Sequence, residues 1–356
     1  MIEVIVNRPS FEYDIHSLVK SFFPREDVQI HVQDTFTEDT ALRISVEFTD
    51  ETVSICLMEQ GEEKGSGASV INYAERKETK NRLKRQLYQL LCAYTGQTLP
   101  WGTLTGIRPA KIAMGLIEQG MSNVETAEYM RNTYLASKEK VALSVMIANR
   151  ERYVLRNIDY KDGYSLYVGI PFCPSICLYC SFSSYPLERW RKQVDQYLDA
   201  LCKELDYVAD RFRDKKLNTV YIGGGTPTTL EPYQLDRLLT RIQSKFDTEH
   251  LQEFTVEAGR PDSITREKLQ VLLDHGIDRI SINPQTFSDE VLANIGRKHS
   301  AQDILDCYAD ARRAGHEDIN MDLIAGLPGD TVEGFEHSLR QAIALDPENI
   351  TVHTLT

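Results

Sequence analysis

The sequence predicts an α/β protein: a parallel sheet of six βα-type strands curled as a partial barrel, preceded by a small α+β domain and a helical segment. Three observations carry this expectation. From about residue 161 onward, short apolar runs alternate with amphipathic stretches of helical length. The residues able to do chemistry fall at the ends of those runs, where parallel α/β sheets place their sites. Before residue 75 the apolar residues instead alternate with period two, as in strands with one buried face.

In the first segment, Ile2, Val4 and Val6 form one alternating run and Val28, Ile30 and Val32 another. Leu42, Ile44, Val46 and Phe48 make a third, and Val53, Ile55 and Leu57 a fourth. Between the first two, Phe11, Ile15, Leu18, Val19 and Phe22 fall at helical spacing, with Ser10 as the N-cap. Residues 61–67 carry three glycines and read as a flexible turn or linker. A helix over 72–94 follows, and its charges at 76–85 suit a solvated face better than an anionic partner, because Glu78 is interleaved among them. In the Gly/Pro-rich loop 99–111, Arg108 and Lys111 are able to pair with substrate carboxylates; equally, the loop connects domains with Trp101 as its anchor. Pro109 opens a helix over 110–119, and two more follow over 122–134 and 138–156. The expected domains are therefore 1–75, 76–160 and 161–356. The barrel strands are expected at 166–170, 219–222, 253–257, 279–283, 319–324 and 350–355, with helices such as 194–212 and 235–246 between them. The barrel is expected to be truncated after the sixth strand, as in a fragment of a longer protein.

Composition narrows the class. The 356 residues carry a formal net charge of −13, which argues against broad binding to nucleic acid or anionic membrane. No run reaches transmembrane length and the N-terminus lacks a signal-peptide core. The expectation is a cytoplasmic protein without membrane insertion. Cysteines number seven, an odd count with three packed into one loop, which points to a reducing compartment. Cys56, Cys92, Cys202 and Cys307 sit on strand-like or helical runs and are expected to pack as small hydrophobes.

The three clustered cysteines, Cys173, Cys177 and Cys180, form a C-x3-C-x2-C array directly after the first barrel strand. Three thiolates so spaced can wrap an iron–sulfur cube, leaving one iron for an external ligand such as the amine and carboxylate of S-adenosylmethionine (SAM). Zinc with a distant fourth ligand is the rival, and a disulfide the third option. Gly223, Gly224 and Gly225 follow the second strand, where they let backbone approach a ligand; no Lys-Ser/Thr follows, so this is not a phosphate loop. Glu257 ends the third strand and can accept hydrogen bonds from ribose hydroxyls, or else pair with Arg260. Asn283-Pro284-Gln285 ends the fourth, with Arg297 beyond it, and Asp322 lies in the fifth.

From Tyr167 onward these motifs resemble the radical SAM superfamily, in its oxygen-independent coproporphyrinogen III oxidase branch. The carriers are Tyr167-Val168-x-Ile170-Pro171-Phe172-Cys173-x3-Cys177-x2-Cys180, the Gly-Gly-Gly-Thr-Pro-Thr stretch from Gly223, Gln285 with Phe287, and Asp-Leu-Ile-x-Gly-Leu-Pro-Gly from Asp322. With the loop from Leu104 to Lys111, they resemble coproporphyrinogen dehydrogenases of the HemZ type. The resemblance implies a radical SAM partial (βα)6 barrel in which Cys173, Cys177 and Cys180 ligate a [4Fe–4S] cluster. It places Tyr167, Gly224 and Glu257 on the cluster-bound SAM, with Tyr167 and Glu257 as the catalytic candidates. Tyr179, Gly225, Thr226, Gln285, Arg297 and Asp322 match a second SAM site, so one or two SAM molecules are implied. The implied activity is reductive SAM cleavage to a 5′-deoxyadenosyl radical and oxidative decarboxylation of coproporphyrinogen III propionates to vinyl groups, giving protoporphyrinogen IX. The implied partners are a porphyrinogen substrate and an electron donor such as flavodoxin or ferredoxin, with no nucleic acid. A haem-binding carrier or chaperone on the same scaffold is the alternative.

Overall fold

A computed structural model describes residues 1–32, 42–159, 161–277 and 279–355; the expected boundaries at 160 and 356 lie outside the described residues. The chain divides into two compact units, Met1–Asn157 and Ile158–Thr356. No helix among the described residues is long and apolar enough to cross a membrane.

The first unit begins β1 (Ile2–Val6), α1 (Glu12–Phe22), β2 (Val28–Val32), β3 (Leu42–Phe48), β4 (Thr52–Glu59) and β5 (Glu62–Val70). The sheet order is β2-β1-β3-β4-β5, with β1 parallel to β2 and β3 and the remaining pairs antiparallel. The helix α2 (Arg76–Thr95) joins α1 on this sheet, and Leu83, Leu87 and Leu91 share its core. Three further helices, α3 (Pro109–Glu118), α4 (Asn123–Tyr134) and α5 (Lys138–Val154), close on a separate core around Ala113, Met130 and Ala148.

Two local expectations are corrected here. The segment 61–67 is no linker: β5 runs through it and pairs with β4. Gln60 and Gly61, both at positive φ, make the two-residue hairpin turn. β5 is an exposed edge strand without apolar alternation, so hydrophobic patterning could not reveal it. Its glycines are packing choices, since a Cβ on Gly67 would stand 2.0 Å from Gln86 Nε2 on α2. Nor does Ser10 cap α1. Phe11 takes that position in the left-handed region (φ 60°) and makes no side-chain cap, while its ring packs 6.1 Å from that of Phe48. Burial of the aromatic ring outweighs capping there.

Several charges of α2 are paired rather than free for an anionic partner: Glu78 accepts from Arg82 and Arg85, Lys80 pairs with Asp14 of α1, and Lys84 donates to Thr105. In the loop before α3, Lys140 stands over the Trp101 ring at 5.1 Å, while Arg108 and Lys111 are exposed.

The second unit opens with β6 (Gly163–Ile170). Two short strands, β7 (Phe172–Cys173) and β8 (Tyr185–Pro186), pair in parallel across the base of the cysteine loop. The chain continues through α6 (Leu187–Trp190), α7 (Val194–Arg211), β9 (Lys216–Gly224), α8 (Pro232–Lys245), β10 (Glu253–Gly259) and α9 (Arg266–Asp274). It then follows β11 (Arg279–Ile282), α10 (Asp289–Asn294), α11 (Ala301–Ala314), β12 (Asp318–Ala325), α12 (Val332–Ala344) and β13 (Asn349–Thr354). The six long strands form one parallel sheet in sequential order, β6-β9-β10-β11-β12-β13, as expected of a curled partial barrel. One apolar core, including Ile170, Ile222, Val256, Ile280 and Met321, runs between strands and helices. With every strand parallel, all the C-terminal strand ends share one edge. Cys202 and Cys307 are buried, and Cys56 and Cys92 half-buried, as small packing residues.

Gly102 supplies a test of the first unit. Its φ is +57°, and an added Cβ would lie 2.1 Å from the Tyr134 carbonyl oxygen, which is backbone and cannot swing away. Gly102→Ala is expected to destabilise the chain by about 1–3 kcal/mol, read as a fall in thermal midpoint. A midpoint equal to wild type would show that this turn bears no such constraint.

Candidate functional site

The site is built on the loop that leaves β6. At its base, the Tyr185 amide donates to the Pro171 carbonyl at 2.7 Å and holds the β7–β8 pair together. At its far side, Ser175 Oγ donates to the Gly296 carbonyl (2.7 Å) and the Leu178 amide to the Ile295 carbonyl (3.0 Å). Within the loop, the Cys180 amide donates to the Cys177 carbonyl at 3.1 Å. All three loop cysteines are free thiols, Cys173 buried and Cys177 and Cys180 half-buried. They line a cavity of about 580 Å³ at the strand ends.

The triple glycine closes against this loop. The Gly225 amide donates to the Ile170 carbonyl and the Thr226 amide to the Phe172 carbonyl, both at 2.7 Å. Each glycine has its own steric reason. A Cβ on Gly223 would meet the Tyr221 ring at 2.6 Å; Gly224 sits at φ +106°; a Cβ on Gly225 would come within 3.0 Å of Cys173 Sγ. The run is therefore demanded by strand-to-loop packing as well as by the open cavity wall that Gly224 and Gly225 form. Thr226 Oγ1 stands 3.5 Å from Cys173 Sγ as a donor.

The neighbouring strands bring the remaining candidates in. Glu257, Gln285, Arg297, Asp322 and Tyr179 line the same cavity. Tyr167 does not line it: its side chain is largely exposed, stacked on the Tyr221 ring with centroids 6.0 Å apart. Tyr221 does line the cavity and donates its phenolic hydrogen to Glu257. Burial pushes the Glu257 carboxyl above the usual carboxylate range; the Tyr221 hydrogen bond opposes this and the Asp322 charge adds to it. Burial and Glu257 together push the Tyr221 phenol up. Tyr221 was missed in the sequence because its run reads as an apolar strand; the signal available was its inward position two residues before Gly223.

Arg297 is buried, with Nη1 donating to the Asn283 carbonyl (2.5 Å) and Nη2 to Tyr179 Oη (3.4 Å). Burial pushes the Tyr179 phenol up to about 12. Gln285 stands at φ +68°, a conformation held because its amide donates to the Asp322 carbonyl (2.9 Å) while its own carbonyl accepts from the Ile324 amide (3.0 Å). Asn283 Oδ1, Gln285 Oε1 and Arg297 Nε are buried in this wall without a hydrogen-bond partner. Such groups suit a polar ligand that satisfies them. The expected alternative pairing of Glu257 with Arg260 does not form. Arg260 turns instead to Asp262, which lies two residues along the same turn, at 2.7 Å.

Three free thiols on one loop match the donor chemistry of a cluster that leaves one iron for an external ligand. Among the described residues, no three His, Cys, Asp or Glu side chains converge on a point that would hold a single metal ion.

Residues 167–342 match the model of the Radical SAM superfamily. The chain belongs to the radical SAM superfamily. It is 39% identical over 332 residues to the oxygen-independent coproporphyrinogen-III oxidase-like protein HemZ of Bacillus subtilis, covering 89% of this chain and 66% of that protein. It is 41% identical over 192 residues to the heme chaperone HemW of the same organism, covering 54% of this chain and 50% of the relative. The solved coproporphyrinogen III oxidase HemN of Escherichia coli shares 31% identity at a TM-score of 0.50, covering 58% of this chain and 48% of that one. The chain thus spans about half to two thirds of the length of these relatives. A radical SAM protein of this branch carries a [4Fe–4S] cluster and SAM.

The carboxyl of Glu257 provides a pH test. Its folded-state pKa is raised, so the folded chain binds the proton more tightly and stability falls as pH rises through the folded pKa. Glu257→Gln keeps an acceptor for Tyr221 and removes the buried charge. The cofactor-free variant is expected to melt higher than wild type at neutral pH, with the gap closing below about pH 4.3, the ordinary glutamate value. A gap independent of pH would contradict the assignment.

Proposed function

We propose that this chain is the radical SAM portion of an oxygen-independent coproporphyrinogen III dehydrogenase, which converts propionate side chains to vinyl groups. The observation that carries this reading is the single cavity in which three free thiols, two carboxylates and three unpartnered buried polar groups meet at the strand ends. It is supported by the alignment to the HemZ protein, which extends over most of this chain and not only the barrel.

In this reading Cys173, Cys177 and Cys180 hold the cluster as thiolates. When bound and reduced, the cluster and SAM supply a carbon-centred radical that removes a hydrogen atom from the propionate. The Gly224 backbone forms the wall beside SAM, and the Glu257 carboxylate, steadied by Tyr221, accepts hydrogen bonds from its hydroxyls. Tyr167 closes over Tyr221 as an aromatic cover. Arg297, Gln285, Asp322, Tyr179, Gly225 and Thr226 bind polar groups of a second ligand, another SAM or the porphyrinogen itself. A low-potential donor such as flavodoxin or ferredoxin supplies the electron.

A second reading, a haem carrier or chaperone, draws on the 41% identity to a heme chaperone across the barrel. One anaerobic experiment separates the two. Reconstituted protein with SAM, reductant and coproporphyrinogen III is expected to form 5′-deoxyadenosine together with stepwise loss of carbon dioxide, followed by mass spectrometry. Stoichiometric haem binding with no decarboxylation would favour the carrier. Cys177→Ala is expected to lose the cluster absorbance near about 400 nm; a variant that keeps it would contradict the ligand set.

A further inference from the structure

Arg260 is almost fully buried, and it takes no part in the proposed reaction. Its guanidinium lies between two groups. On one side Nε and Nη2 bind the Asp262 carboxylate at 2.9 and 2.7 Å. On the other, Nη1 donates to Ser175 Oγ (2.9 Å) and the Ser175 carbonyl (3.1 Å), and lies 4.0 Å from Cys177 Sγ. His299, also buried, places Nδ1 3.7 Å from Asp262 Oδ1. Ser175 in turn donates to Gly296. The cysteine loop is thus clamped to the turn after β10 by a charged side chain fixed from behind.

We propose that Arg260 is a positioning residue for the cluster: it fixes the loop carrying Cys177 and holds the cluster's reduction potential up. The inference rests on the reading in which the three cysteines carry the cluster. The physical argument is directional. The Arg260–Asp262 pair is neutral overall, yet its cationic end faces the cysteine sulfur and its anionic end faces away. An electron added to the cluster raises the negative charge on the sulfurs, and a permanently charged donor beside one of them stabilises that state. In a buried setting this interaction is weakly screened. Hydrogen bonds behind metal ligands set both ligand orientation and potential.

The test uses the full chain, reconstituted anaerobically, with the midpoint read by EPR-monitored potentiometric titration. Arg260→Gln is expected to keep the cluster but lower the reduced-to-oxidised equilibrium constant about tenfold, which is about 59 mV more negative for one electron. Ser175→Ala keeps the charge and the contact from Arg260 to the Ser175 carbonyl while removing the two made by Ser175 Oγ, to Arg260 and Gly296, so its midpoint is expected to stay near wild type. In the cofactor-free chain, labelling of the Cys177 peptide by a maleimide, read by mass spectrometry, is expected to speed up several-fold in both variants. An Arg260→Gln cluster at the wild-type potential overturns the redox role; unchanged labelling overturns the positioning role. If Arg260→Gln assembles no cluster, Arg260→Lys decides, with a smaller negative shift expected and an unchanged midpoint overturning the proposal. A wild-type chain that binds no cluster would instead remove the ligand assignment, and the labelling would still decide the positioning role.

Discussion

The site depends on two backbone hydrogen bonds, from Gly225 to Ile170 and from Thr226 to Phe172. They carry the β6–β9 pairing past the end of the sheet and into the cysteine loop, so the strand that delivers Cys173 is held by the strand that delivers the glycines. Each bond requires an approach that a Cβ on Gly225 would block. The buried Cys173 and the open wall beside it therefore follow from one constraint. Parallel strand order does the rest, bringing Glu257, Gln285 and Asp322 to the same edge from successive strands.

Around that edge the protein keeps polar groups in unfavourable settings. Glu257 is pushed towards its neutral form, Gln285 is held at positive φ, and Asn283, Gln285 and Arg297 each keep a buried polar atom without a partner. These features cost stability in the free chain and offset that cost only when a ligand satisfies them. Among the described residues, three of the unpartnered buried polar atoms gather in this one cavity. The loop itself is fixed at three places: the β7–β8 base, the Gly296 turn and Arg260. Preorganisation of this kind suits a site whose reactive group must be aimed at one atom of a substrate.

Much of this architecture was legible in the sequence, for identifiable reasons. The central barrel strands, β9 to β12, announce themselves because most of their residues are buried, so that they appear as short apolar runs between helices. Of the strand-end candidates, Gly224, Gly225, Thr226, Glu257, Gln285 and Asp322 line the cavity, because the sheet is parallel and sequentially ordered, while Tyr167 and Gly223 do not. What stayed hidden depends on partners distant in the chain. β5 is an edge strand whose glycines make sense only beside Gln86 and Leu90 of α2. Tyr221 looked like one more apolar strand residue until its hydroxyl met Glu257. Of the two readings of Glu257, the pairing with Arg260 does not form, because the turn after β10 gives Arg260 Asp262 on one side and Ser175 on the other. Residue types show what a position can do; only the fold shows which neighbour it meets.

The central claim is that three thiols hold a [4Fe–4S] cluster with one iron left open to SAM. The most direct measurement is the EPR spectrum of the reconstituted, reduced chain before and after SAM is added, at low temperature and without porphyrinogen. The account predicts a reduced-cluster signal whose shape and g values change when SAM is added. A cluster signal indifferent to SAM, in protein carrying a full complement of iron, would contradict it.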